Sequence, residues 1–209
     1  MYPKTTPLTD AIEAEDIKEI KRLVEEGVNV NANNKVGTPL IHAVFKKNAT
    51  VIIYLLSKGA DINGRSKTGW TPLHAAASGG DVEIVRLLIE NNAKINLHDK
   101  GGWTPLHIAA YRGYLDVVKL LIEYHAYIPA KTNNNETALD LAIEKGKRNV
   151  IAYLNKHDEE YHKNKANQLN LPEVQKSSST KVLYKKKTQI TDDDWLKELT
   201  EISNNKNTN

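Results

Sequence analysis

A tripeptide that returns at a nearly constant interval limits the possible folds of this chain more than any other feature. Thr-Pro-Leu begins at Thr6, Thr38, Thr71 and Thr104, and Thr-Ala-Leu begins at Thr137, so the intervals are 32, 33, 33 and 33 residues. Apolar pairs and turn residues recur in the same phase. A period of this length is typical of proteins built from stacked supersecondary units. The chain is therefore predicted to contain five tandem units.

Each unit is predicted to consist of two short helices and a turn. Thr is a good N-cap, and Pro suits the first helical turn because its missing N–H would have no partner there. In the third unit Gly80 ends the first helix, and the spacing of apolar residues over 82–89 predicts a second helix with a wide buried face. Gly27 and Asn92 stand where the second helix needs a left-handed residue to end. His125, at the same position in the fourth unit, is less suited to that conformation.

These features resemble those of ankyrin repeats. The signature TPLH-x-A is complete at Thr71–Ala76 and Thr104–Ala109, and the resemblance covers roughly residues 5–157. It implies an all-α solenoid of stacked helix-turn-helix units with hairpin-like turns, in a domain that we place at residues 1–157. The second unit is one residue short just before Thr38, which predicts a tighter turn. The residues that replace the signature His in the other units are Thr9, Ile41 and Asp140.

The composition excludes several classes of protein. The 209 residues contain no Cys, which excludes disulfides, Cys-ligated zinc and iron–sulfur clusters. A net charge of +3 is small for a nucleic-acid binder, which usually carries a basic stripe. No apolar stretch is long enough to cross a membrane, and the first ten residues lack the apolar centre of a secretory signal. We therefore expect a cytoplasmic, monomeric protein that uses no metal or cofactor.

The residues do not predict catalysis. His74 and His107 recur in register, but no Ser, Asp or Glu recurs beside them as a partner, and the family resemblance implies that they hydrogen-bond backbone in the neighbouring turn. Packed helices lie about 10 Å apart, so histidines of successive units are too distant to share a metal. Gly79-Gly80 is not followed by the Lys and Ser or Thr of a phosphate-binding loop. We therefore predict that the chain is not an enzyme and that these two histidines have a structural role.

Binding of a partner protein is the function that the resemblance implies. In ankyrin repeats the turn tips and the exposed ends of the first helices line a concave surface that binds proteins. Trp, Tyr and Arg dominate interface energetics, and the lysines here favour an acidic partner surface. The alternative for Trp70 and Trp103 is that they only pack across the tips. The residues mapped to this concave surface are Phe45, Lys46, Lys67, Trp70, Ser78, Lys100, Trp103, Tyr111 and Arg112.

The last part of the chain, residues 158–209, has a different composition. It is rich in Asn, Lys and Ser and poor in apolar residues, which predicts a largely disordered tail. Within it, Thr191 and three aspartates resemble the start of a helix, so a short helix is possible at 192–203. A helix of this length is too short to be stable alone. We therefore predict that it binds another protein or, as the alternative, docks on the repeats. Its apolar face comprises Trp195, Leu196, Leu199 and Ile202.

Two other functions stay open from the sequence. High Asn and Lys usage suggests an AT-rich genome, such as that of an intracellular bacterium. The alternative to an adaptor is therefore a secreted effector, delivered to a host cell, that acts on host proteins through the same surface. A translocation assay with residues 158–209 would separate these two. Nucleic-acid binding is less favoured and would show a steep salt dependence of affinity.

Overall fold

Ten short helices, arranged as five consecutive pairs, make up the part of the chain that this computed structural model describes, residues 5–34 and 36–157. No strand occurs within these ranges. The predicted helix at 192–203 lies outside them. The helices are α1 (Pro7–Glu13), α2 (Ile17–Glu25), α3 (Pro39–Phe45), α4 (Ala49–Ser57), α5 (Pro72–Gly79), α6 (Val82–Glu90), α7 (Pro105–Arg112), α8 (Leu115–Glu123), α9 (Ala138–Glu144) and α10 (148–157).

The repeated Thr caps the first helix of every pair, as the sequence predicts. In each unit its Oγ1 accepts a hydrogen bond from the backbone N–H of the third helical residue, at 3.2 to 3.5 Å. Pro occupies the first helical position in the first four of these helices. The tripeptide therefore acts as a helix start that is repeated at each unit.

Left-handed residues end the helices at the predicted positions. Gly80 and Gly113 terminate α5 and α7 with φ of 70° and 85°. After the second helices, Gly27 and Asn92 have φ of 84° and 69°, and His125 adopts the same conformation with φ of 66°. A side chain with a Cβ is disfavoured in this region, so the fourth unit retains some backbone strain at His125.

The core is a row of first helices with the second helices packed behind them. Each first helix contacts the next first helix, and each second helix of the first four pairs contacts its own first helix. The Leu of the repeated tripeptide points into this core in every unit. Its exposed fraction does not exceed 7 % at any of the five positions, Leu8, Leu40, Leu73, Leu106 and Leu139.

A recurring Asn joins consecutive units behind the turn tips. The side-chain Oδ1 of Asn31 accepts a hydrogen bond from the backbone N–H of Asp61, 30 residues later, at 2.7 Å. Asn63 and Asn96 make the same bond to the backbone of the following unit, at 2.8 Å each. The register of these three asparagines in the sequence is therefore explained by contacts between units.

The turn of the second unit is tighter than those of the third, fourth and fifth units, as predicted. In the third, fourth and fifth units a backbone N–H donates to the carbonyl four residues later, for example from Ser66 to Trp70 at 2.7 Å. In the second unit Asn34 N–H donates to Gly37 O, three residues later, at 3.1 Å. The missing residue thus shortens the tip without removing its closing hydrogen bond.

We expect Leu88→Ala and Leu121→Ala each to lower the free energy of unfolding by roughly 2–5 kcal/mol, because each removes a buried side chain and leaves a cavity. Both residues are 0 % exposed. Urea unfolding measures the change. Ile53→Ala is the control, since Ile53 is 54 % exposed on α4 and should change stability little. Equal effects of all three substitutions would show that the assigned helix faces are wrong.

Gly102 is required for the approach of two turn tips. Its φ is 79°, and a Cβ at this position would lie 2.7 Å from the backbone N of Asn133 in the next tip. The neighbouring Gly101 carbonyl accepts the N–H of that same Asn133 at 2.9 Å. A side chain would therefore both strain the turn and separate the tips.

We expect Gly102→Ala to lower the free energy of unfolding by more than about 1 kcal/mol, because the Cβ of alanine disfavours the left-handed backbone and also collides with the next tip. Gly79→Ala is the matched control. Gly79 lies in α5, and a Cβ there would meet only the end of the Lys47 side chain at 3.8 Å. This change should be neutral or stabilising, since Ala favours helix over Gly. A Gly102 variant as stable as the Gly79 variant would contradict the contact.

Candidate functional site

His74 connects its own helix start to the next turn tip. Its Nδ1 accepts hydrogen bonds from the Thr71 N–H at 3.2 Å and from the Thr71 hydroxyl at 2.8 Å. Its Nε2–H donates to the carbonyl of Trp103, in the following tip, at 2.9 Å. Because Nδ1 accepts from a backbone N–H, the ring is neutral and protonated only on Nε2.

His107 makes the equivalent contacts one unit later. Its Nδ1 accepts from the Thr104 N–H at 3.1 Å, and its Nε2 donates to the Ala130 carbonyl at 3.0 Å. Burial lowers the pKa of both histidines, and the hydrogen bonds to the carbonyls of Trp103 and Ala130 offset this only in part. Both rings are therefore placed as neutral links between units.

The second unit reverses this connection. Ile41 occupies the signature position, and the buried His42 after it instead reaches back to the first unit, where its Nδ1–H donates to Glu13 Oε1 at 2.6 Å. The first unit also reaches forward, since Thr9 Oγ1 accepts from the Asn34 side chain at 3.2 Å. Together these contacts join the first two units without the signature His.

Asp99 organises the fourth tip and holds the tryptophan of the third. Its Oδ1 accepts the backbone N–H groups of Gly101 and Trp103 at 2.8 and 2.9 Å. Its Oδ2 accepts the indole N–H of Trp70 at 3.0 Å. The sequence interpretation missed this residue, although the run Asp99-Lys100-Gly101-Gly102 is a turn signal that could have found it.

Phe45 and Trp70 form the first of two aromatic clusters on the predicted concave surface, the Phe45–Trp70 cluster. Their ring centroids are 6.5 Å apart, and Phe45 is 44 % exposed at the end of α3. Trp70 also stacks on His74 at 6.4 Å and is half-buried. A tip and a helix end of consecutive units therefore meet at one apolar patch.

Trp103 and Tyr111 form the second, the Trp103–Tyr111 cluster. Their rings meet edge to face at 5.4 Å, and the Lys145 Nζ of the fifth unit lies 4.8 Å from the Tyr111 centroid. Both rings are half-buried. Hydrogen bonding to Glu144, and secondarily to Tyr111, raises the pKa of Lys145. This cluster thus combines aromatic area with a cation.

The remaining predicted site residues differ in how far they are free to bind. Lys67, Lys100 and Arg112 are exposed and have no ion-pair partner among the described residues. Lys46 is paired with Glu15 of the first unit at 3.0 Å. Ser78 is half-buried near the end of α5. The cationic character of the surface therefore lies mainly at the tips and at the end of α7.

The described residues supply little for other chemistry. They contain no group of three or more His, Asp or Glu arranged to hold a metal ion. In residues 5–34 and 36–157, each helix is too short or too polar to cross a lipid bilayer. The side chains assembled at the tips and helix ends are instead aromatic rings with cations beside them.

The stacked helix pairs define a repeat solenoid. Its consecutive turn tips contact one another and, with the ends of the first helices, form one face. The family model described as ankyrin repeats (3 copies) matches residues 3–66, 63–132 and 95–167, so the chain belongs to the ankyrin-repeat family. Members of this family are generally protein–protein interaction modules and are typically not enzymes. No curated protein matches the sequence.

The two neutral histidines should make stability pH-dependent. Their folded-state pKa lies below the unfolded value of about 6.5, so the unfolded chain takes up protons first as the pH falls. Protonation of Nδ1 in the folded state would also break the bond from the Thr N–H. The stability that these groups contribute is present above about pH 6.5 and is lost as the pH falls toward their folded pKa.

We expect the double variant His74→Gln/His107→Gln to be less stable than the native chain near about pH 7.5 and to have a flatter pH profile below about pH 6.5. Each histidine contributes a slope of up to about 1.4 kcal/mol per pH unit. Urea unfolding across this range measures the profiles, and the groups common to both proteins cancel in their difference. Parallel profiles would show that the two histidines are not held neutral.

Proposed function

We propose that this protein is a non-enzymatic adaptor that binds a partner protein through the concave surface. The observation that carries this proposal is the pair of aromatic clusters described above. Each brings a turn tip together with a first-helix end, and each leaves aromatic area exposed to solvent. Partly exposed aromatic rings beside an arginine are the composition expected of an interface centre.

The rigidity of the tips supports binding by a preformed surface. The Lys100 N–H donates to the Thr68 carbonyl at 3.0 Å, and the Asn133 N–H to the Gly101 carbonyl at 2.9 Å, so consecutive tips are joined through backbone. Such tips need little further ordering when a partner arrives. Less conformational entropy is then lost, and more of the contact energy appears as affinity.

The charge of the surface favours an acidic partner. Lys67, Lys100 and Arg112 project from the tips and from the end of α7 without an ion-pair partner in the described ranges. A partner surface rich in Asp and Glu would be drawn to these cations and oriented by them. Binding is proposed to be stoichiometric and to involve no reaction.

The test is affinity capture from cell extract followed by mass spectrometry, with the native chain and with Trp70→Ala/Trp103→Ala/Tyr111→Ala. We expect the triple variant to keep its helical circular dichroism and to lose the captured partner, because it removes the aromatic anchors. The control is Ile53→Ala, which removes an apolar side chain that is 54 % exposed on α4. The control should capture the same partner as the native chain.

A partner that the folded triple variant still captures would contradict binding through the concave surface. Function would then have to be sought in the tail, where the proposed motif contains Trp195, Leu196, Leu199 and Ile202. Repeating the capture with residues 1–160 would decide this, because a tail-bound partner would be lost from the truncated chain.

A further inference from the structure

The two aromatic clusters use their polar groups differently. At the Phe45–Trp70 cluster, the indole N–H of Trp70 already donates to Asp99, and the neighbouring Lys46 is paired with Glu15 at 3.0 Å. The rings of this cluster therefore offer mainly apolar surface, and the unpaired Lys67 of the same tip does not distinguish the two clusters because Lys100 holds the equivalent place in the fourth tip. An apolar side chain satisfies such a site without leaving a polar group unpaired.

The Trp103–Tyr111 cluster keeps its donors available. The indole N–H of Trp103 is solvent-accessible and has no acceptor among the described residues. Arg112, next to Tyr111 on α7, is exposed and has no ion-pair partner in the same ranges. An indole N–H and a guanidinium can only donate hydrogen bonds, so covering them with an apolar group would leave them unsatisfied.

Lys145 adds a cation that a partner can recruit. Its ammonium lies over the Tyr111 ring and pairs with Glu144 of its own helix end at 2.7 Å. Both members of this pair are solvent-exposed, and water screens such pairs strongly. A carboxylate that arrives together with apolar contacts can therefore replace Glu144 as the partner of Lys145.

From this contrast, and resting on the proposed function, we infer that the concave surface binds an acidic linear segment in one fixed orientation. The Phe45–Trp70 cluster takes an aromatic or aliphatic side chain. The donors Trp103, Arg112 and Lys145 take side-chain carboxylates, with Arg112 able to bind one through two N–H groups. Reversing the segment would put a carboxylate on the apolar cluster and leave the donors without acceptors.

The repeat spacing sets the separation between the two parts of the segment. Trp70 and Trp103 occupy the same position in consecutive units, and packed helices of consecutive units lie about 10 Å apart. An extended chain advances about 3.3 Å per residue. The acidic residues of an extended segment therefore stand about three or more positions from the apolar anchor.

Selection from a phage-displayed library of random linear peptides on the immobilised full chain tests this inference. We expect the selected peptides to combine an aromatic or aliphatic residue with Asp or Glu about three or more positions away. Selection on Arg112→Gln/Lys145→Gln should keep the apolar residue and lose the acidic enrichment. A peptide selected on the native chain should bind this variant more than about tenfold more weakly, because it loses charge-assisted hydrogen bonds.

Lys21→Gln/Arg86→Gln is the matched control, since it removes the same net charge from the second helices α2 and α6. It should select the same peptides as the native chain. The inference is overturned if the native chain selects no acidic peptides, if Arg112→Gln/Lys145→Gln still selects them, or if the control loses them equally. The proposed function would stand after any of these results, because it is tested separately by whether Trp70→Ala/Trp103→Ala/Tyr111→Ala loses its captured partner.

Discussion

The stacking of one helix pair on the next is the interaction on which the rest of this molecule depends. The first nine helices have only seven to nine residues each, and isolated helices of that length are marginal in water. Their stability comes from burying Leu73, Leu106 and their equivalents between units. Each unit completes the core of its neighbour, as in other repeat architectures.

The polar links between units place the proposed binding surface. His74 holds the carbonyl of Trp103, and Asp99 holds the indole of Trp70, so each tryptophan is fixed by a residue of an adjoining unit. His74 and Asp99 therefore both stabilise the stack and fix the positions of the aromatic rings. This coupling keeps the proposed surface ordered before any partner binds.

The second unit shows that the stack tolerates departures from the signature when other contacts join the units. Ile41 forms no polar link, and His42 instead connects to Glu13 behind it. On the side toward the third unit, the Asn33 side chain donates to the Arg65 carbonyl at 2.6 Å. Lys46 of this unit is likewise paired with Glu15 of the first unit. This pairing leaves the Phe45–Trp70 cluster less charged than the Trp103–Tyr111 cluster.

The sequence by itself determined the period, the helix starts at each repeated Thr and the left-handed residues that end the helices, because these depend on residues close together in the chain. Through the family resemblance it also predicted that Trp70, Trp103 and Tyr111 lie on one binding surface. Only the tertiary structure decided which side chains are paired. Trp70 meets Asp99 after 29 residues and Tyr111 meets Lys145 in the next unit. Such contacts depend on how neighbouring units are seated and on the side-chain conformations that the packing selects.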